Sequence, residues 1–439
     1  MSDTTVSRTP SRPYGRLALA ALLAMLTLLL IPTAAGAAPP TSPLTTDPAD
    51  AGAGWLTGEF TDGDHLSTEF DLNGDGTIDP LTEVFPDYGL TADAVLAFAA
   101  AGSAGDAAEA ATDYLAANVA GYAGDGITES YAGSLAKLVI VADVMGRDPL
   151  DFGGRDLIAE LTAREQTSGR FADLSAFGDY SNGFTQSLAV IALDRATANG
   201  ASTAAVDYLV AQQCADGGFN SVLEVSPCAG EVDTSAFAVQ ALDVAGRDAA
   251  RDTTTGFLLG QQAADGSFAA PGFGTPPVTT ANSNSTGLAA QALSVLGESE
   301  AAGSAVSWLL DRQVGADGPQ EQQGAFAFDA TGFDPANATR ATTQAVLGVA
   351  GIGFADLVAP TDPLAYGLDV GGGGALPPPP GTGPPPGAGP PPPPAELPAT
   401  GAAPGGLLEL GVGLLAIGVA VCALARRRTD RLLPTRTFP

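Results

Sequence analysis

The sequence predicts an all-α fold made of about six helix pairs in tandem over residues 52–360. The dipeptides Leu96-Ala97, Leu135-Ala136, Leu188-Ala189, Phe237-Ala238, Leu288-Ala289 and Gln344-Ala345 recur at steps of 39, 53, 49, 51 and 56 residues. Self-similarity at such a period marks a repeat architecture. Each unit also carries an alanine-rich segment, as at 235–244 (SAFAVQALDV) and 286–296 (TGLAAQALSVL), in which the helical period dominates. The second helix of each pair ends in a Gln-Gly-aromatic turn, where glycine supplies the positive φ that stops a helix.

At the N-terminal end, Arg8, Arg12 and Arg16 precede an apolar run over 17–31 and the small-residue site Ala35-Gly36-Ala37. This order predicts a secretory signal peptide over residues 1–37. The whole chain has 18 Lys and Arg against 49 Asp and Glu. Removing both processed ends leaves a charge of about −36, a surface that repels nucleic acid and phosphate-rich polymers. The only lysine, Lys137, suits a high-GC actinobacterium or a salt-rich habitat.

Residues 71–79 read DLNGDGTID, similar to EF-hand and dockerin loops. Asp71, Asn73, Asp75 and Asp79 would be the calcium ligands at positions 1, 3, 5 and 9, with Gly76 at the sharp turn. Thr82 occupies the position of the bidentate acid, and Glu83 comes one residue later. A solvated acidic turn is the alternative.

In the repeats, 213–219 (QCADGGF) and 262–268 (QAADGSF) share Q-x-A-D-G-x-F. The segments 165–171 (EQTSGRF) and 56–60 (LTGEF) are weaker copies, and 313–318 (QVGADG) lacks the aromatic residue. These turns resemble the QW repeats of squalene–hopene cyclases, with Phe in place of Trp. The resemblance covers roughly residues 52–358. It implies an α/α toroid of the terpene cyclase, prenyltransferase and transcobalamin type, in which the Gln and the aromatic residue staple neighbouring turns.

In such a toroid the inner-helix N-termini gather at one mouth. Polar residues recur there: Asp87, Tyr88 and Thr91; Glu129 and Tyr131; Asp179, Tyr180, Asn182 and Thr185; Asp233 and Thr234; Asn282, Asn284 and Thr286; Arg340 and Thr342. Helix capping explains such residues at any one position, and ligand binding is the functional alternative. We take Tyr180, Asn182, Asp233, Thr234, Asn282 and Asn284 as candidate ligand contacts. The segment 231–238 (EVDTSAFA) resembles the D-x-D-D-T-A segment of class II terpene cyclases, which would make Asp233 the acid that protonates an alkene. Glu231 and Thr234 replace two of that motif's acids. The V-D-T-x-A-x-A string also resembles the intrinsic factor and transcobalamin carriers, which bind cobalamin and catalyse nothing.

Cys214 and Cys228, 14 residues apart in a secreted loop, predict a disulfide. The only histidine, His65, lies far from any prenyltransferase-type zinc site. Residues 371–396 are Gly, Pro and Ala-rich, a polyproline stalk able to extend to about 80 Å. Residues 397–439 hold LPATG, an apolar run of about 19 residues and three arginines. This order resembles the LPxTG sorting signal of Gram-positive surface proteins. It implies that a sortase reads Leu397, Pro398, Thr400 and Gly401 and joins Thr400 to peptidoglycan, with a transmembrane helix serving only as a sorting intermediate.

The expectation is a cell-wall-anchored protein binding a small molecule, with a corrinoid as first guess. A secreted isoprenoid cyclase and a non-catalytic scaffold or adhesin are the alternatives.

Overall fold

The computed structural model describes residues 43–271 and 279–369. The predicted signal peptide, stalk and sorting signal lie outside them. Thirteen α-helices are present among the described residues: α1 (Pro48–Gly58), α2 (Tyr88–Ala101), α3 (Gly105–Ala117), α4 (Val119–Ala123), α5 (Ala132–Val144), α6 (Leu157–Thr162), α7 (Gly183–Ala196), α8 (Thr203–Ala211), α9 (Val232–Val244), α10 (Asp248–Gln261), α11 (Ser283–Val295), α12 (Ser299–Leu310) and α13 (Pro335–Ala350). Among these residues no helix is long and apolar enough to cross a membrane.

Six helices form a closed inner ring. Each of α2, α5, α7, α9, α11 and α13 packs on the next, and α13 packs back on α2. The outer helices α1, α3, α6, α8, α10 and α12 lie against this ring. This is the α/α toroid. Alanine makes the close ring possible. Ala92, Ala97, Ala136, Ala189, Ala238, Ala289 and Ala345 have no solvent exposure. Where α11 crosses α13, a Cβ on Gly287 would stand 2.3 Å from the Gln344 carbonyl oxygen, so only glycine fits.

The Q-x-A-D-G-x-F turns bind the outer helices to one another. Gln213 Nε2 donates to the Gly217 carbonyl of its own turn at 3.1 Å and to the Ala250 carbonyl of α10 at 2.9 Å. Gln262 Nε2 donates to Gly266 at 3.1 Å and to Ala301 of α12 at 2.8 Å. Gln313 Nε2 donates to Gly324 at 3.0 Å and to Pro48 of α1 at 2.8 Å, which joins the last turn to the first helix. The aromatic residue of this last turn is Phe326, fully buried, so the expectation that the turn lacks one is corrected. An insertion that includes the 3-10 turn Gln320–Gln322 separates Phe326 from its glutamine. In the weak copy, Glu165 cannot donate. Gln186 of α7 supplies the amide instead, to Gly169 and Ala205 at 3.0 Å each.

Each turn is also tied inward. The amides of Phe219, Phe268 and Phe326 donate to Ser235, Thr286 and Thr342 hydroxyls at 2.9–3.0 Å. Phe171 N donates to Gln186 Oε1, and Leu66 N to Thr91 Oγ1, both at 3.0 Å. These anchors fix the register of the ring. Counting from them, the structural equivalent of Leu188, Phe237, Leu288 and Gln344 in the first unit is Asp93, not Leu96, and in the second it is not Leu135 but Lys137, which pairs with Asp93. The aligned dipeptides miss them because the residues at that position there are charged.

Three two-stranded ribbons complete the described residues. β1 (Leu44–Thr45) pairs in parallel with β6 (Gly367–Leu368). β2 (Ser67–Glu69) pairs antiparallel with β3 (Val84–Pro86), and β4 (Ala269–Pro271) with β5 (Thr279–Ala281). Between α13 and β6 the chain turns across the ring. Phe354 N donates to Gln240 Oε1 at 3.1 Å, and Gln291 Nε2 donates to the Ile352 carbonyl at 2.7 Å. Arg195, ion-paired to Asp143 at 2.6 Å, donates to the carbonyls of Phe354 at 2.8 Å, Ala355 at 2.5 Å and Leu357 at 3.0 Å. This segment floors the ring at the C-terminal ends of its helices.

Candidate functional site

The inner helices turn the face holding the turn anchors outward. The opposite face, offset by two residues, lines the lumen. Three layers of residues follow. At the mouth stand Gly89, Gly133, Phe184, Asp233, Asn284 and Arg340. One turn deeper come Asp93, Lys137, Leu188, Phe237, Leu288 and Gln344. Gln240 and Gln291 lie a further turn down, against the floor. From Asp233 to Gln240 is seven residues, about 10 Å along the helix axis.

The bowl has two unlike walls. On α7 and α9, Phe184 packs edge-on against Phe237 at 5.5 Å between centroids, and Phe237 stacks on Phe354 at 5.1 Å. On α2, α5 and α13 the wall is charged. Lys137 Nζ meets Asp93 Oδ1 at 2.6 Å, and the two side chains are 18% and 16% exposed. Burial works against the charged Lys137, but the Asp93 carboxylate outweighs it and holds the pKa above the usual lysine value. Burial also raises the pKa of the neighbouring Tyr122. Arg340 stands 3.9 Å from Asp87 Oδ2.

Asp233 lies at the seam. Burial pushes its pKa up to about 6, and Glu231 adds to the rise. The Ser285 hydroxyl opposes it from nearby, outside good hydrogen-bonding geometry, and Asp233 Oδ1 is sealed without a partner.

Of the six residues expected to bind a ligand, the structure brings Asp233 and Asn284 to the lumen. Asn182 and Asn282 are helix caps, accepting from Thr185 N at 3.0 Å and Ser285 N at 2.8 Å. Thr234 is buried between helices and donates to Glu231 at 3.3 Å. Tyr180 is 42% exposed on the rim. Asp233 is not a cap, because Glu231 precedes α9 and makes no side-chain cap. Arg340 and Thr342 lie inside α13, which begins at Pro335, rather than at its start. Sequence reading missed Asp93, Lys137, Phe184 and Gln344 as lumen residues. The in-phase i, i+4 stripes 233–237, 284–288 and 340–344 were the available signal.

The acidic loop lies outside the ring. Asp71, Asn73, Asp75 and Asp79 accept from backbone amides of their own loop, for example Asp71 Oδ1 from Gly74 N at 2.7 Å. Glu83, 2% exposed, accepts from Leu72, Asn73 and Asp79 N at 2.9–3.3 Å. Among the described residues no three His, Cys, Asp or Glu side chains are grouped as a metal site. His65 stacks on Tyr114 at 4.1 Å. Cys214 and Cys228 are bonded, with Cα atoms 5.3 Å apart. Two surface hollows outside the lumen, about 230 Å³ beside this bond and 210 Å³ near Asp194, are below the ~300 Å³ usual for ligand pockets. Leu397, Pro398, Thr400 and Gly401 lie outside the described residues.

No protein-family model matches the sequence, and no curated protein matches it. Solved structures do. The type II terpene cyclase MstE from Scytonema superposes with a TM-score of 0.50 at 15% identity, covering 69% of this chain and 96% of that one. ent-Copalyl diphosphate synthase from Streptomyces platensis gives 0.42 at 17%, over 78% and 70% of the two chains. An unsaturated glucuronyl hydrolase specific for heparin gives 0.48 at 13%, over 70% and 96%. At these identities the likeness is one of architecture, and this chain has the α/α toroid fold found in type II terpene cyclases.

Proposed function

We propose that this protein captures a small molecule in the lumen of its toroid while displayed on a Gram-positive cell wall. The observation supporting capture is the two-walled bowl, apolar at Phe184 and Phe237 and charged at Lys137, Asp93 and Arg340. Such a mixture orients an amphiphilic ligand. Display rests on the sequence: the signal peptide, the stalk and the LPATG tail, with sortase and peptidoglycan as partners. A corrinoid is the first ligand to test, on the strength of the V-D-T-x-A-x-A string.

The cyclase reading is favoured by one feature, an Asp233 that keeps its proton to about pH 6. Two features oppose it. Glu231 is occupied as a latch, accepting from Ser221 N at 3.0 Å and Thr234 Oγ1 at 3.3 Å, rather than bonding Asp233. The floor also lies only about 10 Å from Asp233 along the helix axis. Native mass spectrometry of the secreted protein with corrinoids, squalene and geranylgeranyl diphosphate separates the readings. We expect a stoichiometric complex and no turnover. A cyclised product that disappears in Asp233→Ala would overturn capture in favour of catalysis.

A further inference from the structure

Three acceptors on successive inner helices, spanning the seam between the two walls, have no hydrogen-bond partner. Asp233 Oδ1, Asn284 Oδ1 and Gln344 Oε1 are each sealed from solvent without a hydrogen-bond partner among the described residues. They come from α9, α11 and α13, which are successive in the ring, and all three residues lie on the lumen stripes. A buried acceptor without a donor costs roughly 1–3 kcal/mol. Three together form a demand that the fold leaves largely unmet: only the Ser285 hydroxyl, itself without a partner, stands near Asp233, outside good hydrogen-bonding geometry.

A cation stands one turn from Gln344. Seven of the ten Lys and Arg among the described residues touch a carboxylate within 3.1 Å. Arg340 does not: its nearest carboxylate oxygen is Asp87 Oδ2 at 3.9 Å, and that oxygen already accepts from Thr68 Oγ1 at 2.9 Å. Phe184 and Leu188 of α7 lie across the ring from α13, and Phe237 lies one turn deeper than Asp233 on α9. A metal ion matches the acceptors poorly, because only one of the three is charged and hard cations take six or more oxygens. A centre with several N–H donors fits, beside an anion and an apolar arm.

We propose that the lumen takes an α-ammonium carboxylate with an apolar side chain. Its ammonium group donates to Asp233, Asn284 and Gln344, its carboxylate pairs with Arg340, and its side chain packs on Phe184 and Phe237. This rests on the lumen being the ligand site. The same chemistry would serve a free amino acid or a peptide end with an unblocked amine and a nearby carboxylate.

Isothermal titration of the secreted protein with four probes tests it: L-phenylalanine, phenethylamine, 3-phenylpropanoate and 3-phenylpropan-1-ol. L-phenylalanine should bind roughly tenfold or more tighter than either singly charged probe. Arg340→Gln should reduce it to the level of phenethylamine, and Gln344→Met should bring it towards 3-phenylpropanoate, with circular dichroism confirming the fold of both variants. If the neutral alcohol binds as tightly as L-phenylalanine, the ligand class is wrong while capture in the lumen stands. If none of the four binds, the inference also fails, and the corrinoid and isoprenoid titrations then decide the lumen on their own.

Discussion

Asp233 holds its proton to about pH 6 because its carboxyl is buried, beside Glu231, against a smaller opposing pull from the Ser285 hydroxyl. In the unfolded chain an aspartate titrates near 3.9. Between about pH 4 and 6 the folded protein therefore binds more protons than the unfolded one, and its stability falls as pH rises through that window. Above pH 6 the penalty is complete, at up to about 3 kcal/mol. Asp233→Asn removes it. We expect this variant to be more stable than the parent by about 1–3 kcal/mol at pH 7.5 and close to it at pH 4.5, by urea denaturation at both values. An equal effect at both pH values would show that the carboxyl is not strained by ionisation. A destabilised variant at pH 7.5 would show that the carboxylate makes a favourable contact. The sequence pointed to Asp233 through its segment, but left a cap, a ligand contact and an acid as alternatives. Only the helix start at Val232, one residue ahead of it, removes the cap.

The turns between helices were the most legible parts, because their chemistry is local. Gln213 and Gln262 each sit four residues from the turn carbonyl they hold, Gln313 eleven because of the insertion, and their glycines adopt positive φ within the same turn. Gly266 has φ +90°, and a Cβ there would stand 2.3 Å from the Ser304 carbonyl oxygen of α12. Gly266→Ala should cost about 2–4 kcal/mol, from strain at that φ and from separating the turn from α12. Gly303, one residue from Ser304 and inside the same helix, has open space around its Cβ position. Gly303→Ala should gain about 0.5–1 kcal/mol through helix propensity. Thermal unfolding of the pair reads the difference, and equal midpoints would mean that the turn does not brace α12. The ring register was less legible. Asp93 and Lys137 occupy the position that Leu188 and Phe237 hold elsewhere, and a charged pair looks like surface until α2 and α5 are seen side by side. Gln186 was equally hidden, since it replaces a missing turn glutamine from another helix.

The closure of the molecule was legible only through the family resemblance, and the residues that close it were not, because they are far apart in the chain. Gln313 reaches Pro48 across 265 residues, and β1 meets β6 at the two ends of the described chain. The floor depends on Arg195, whose partners Phe354, Ala355 and Leu357 lie 159–162 residues downstream. No period or motif predicts such a meeting. Arg195 ties α5, through Asp143, and α7 to the floor, and its side chain is only 8% exposed. Arg195→Met keeps the apolar stem but strands the Asp143 carboxylate and three carbonyls. Breaking one side of such a buried network costs about 3–5 kcal/mol. The loss should be uneven. The ring is held independently by its alanine packing and by the glutamine turns, so the floor should loosen first. Hydrogen exchange at the Phe354 amide, bonded to Gln240, should then accelerate in the variant well beyond the amides of α9 and α11. If that amide exchanges no faster relative to the ring than in the parent, the glutamines alone hold the floor and Arg195 stabilises only the ring. A loosened floor would also deepen the bowl beneath Phe237. Weaker capture in this variant, with every lumen side chain intact, would tie the depth of the bowl to its ligand.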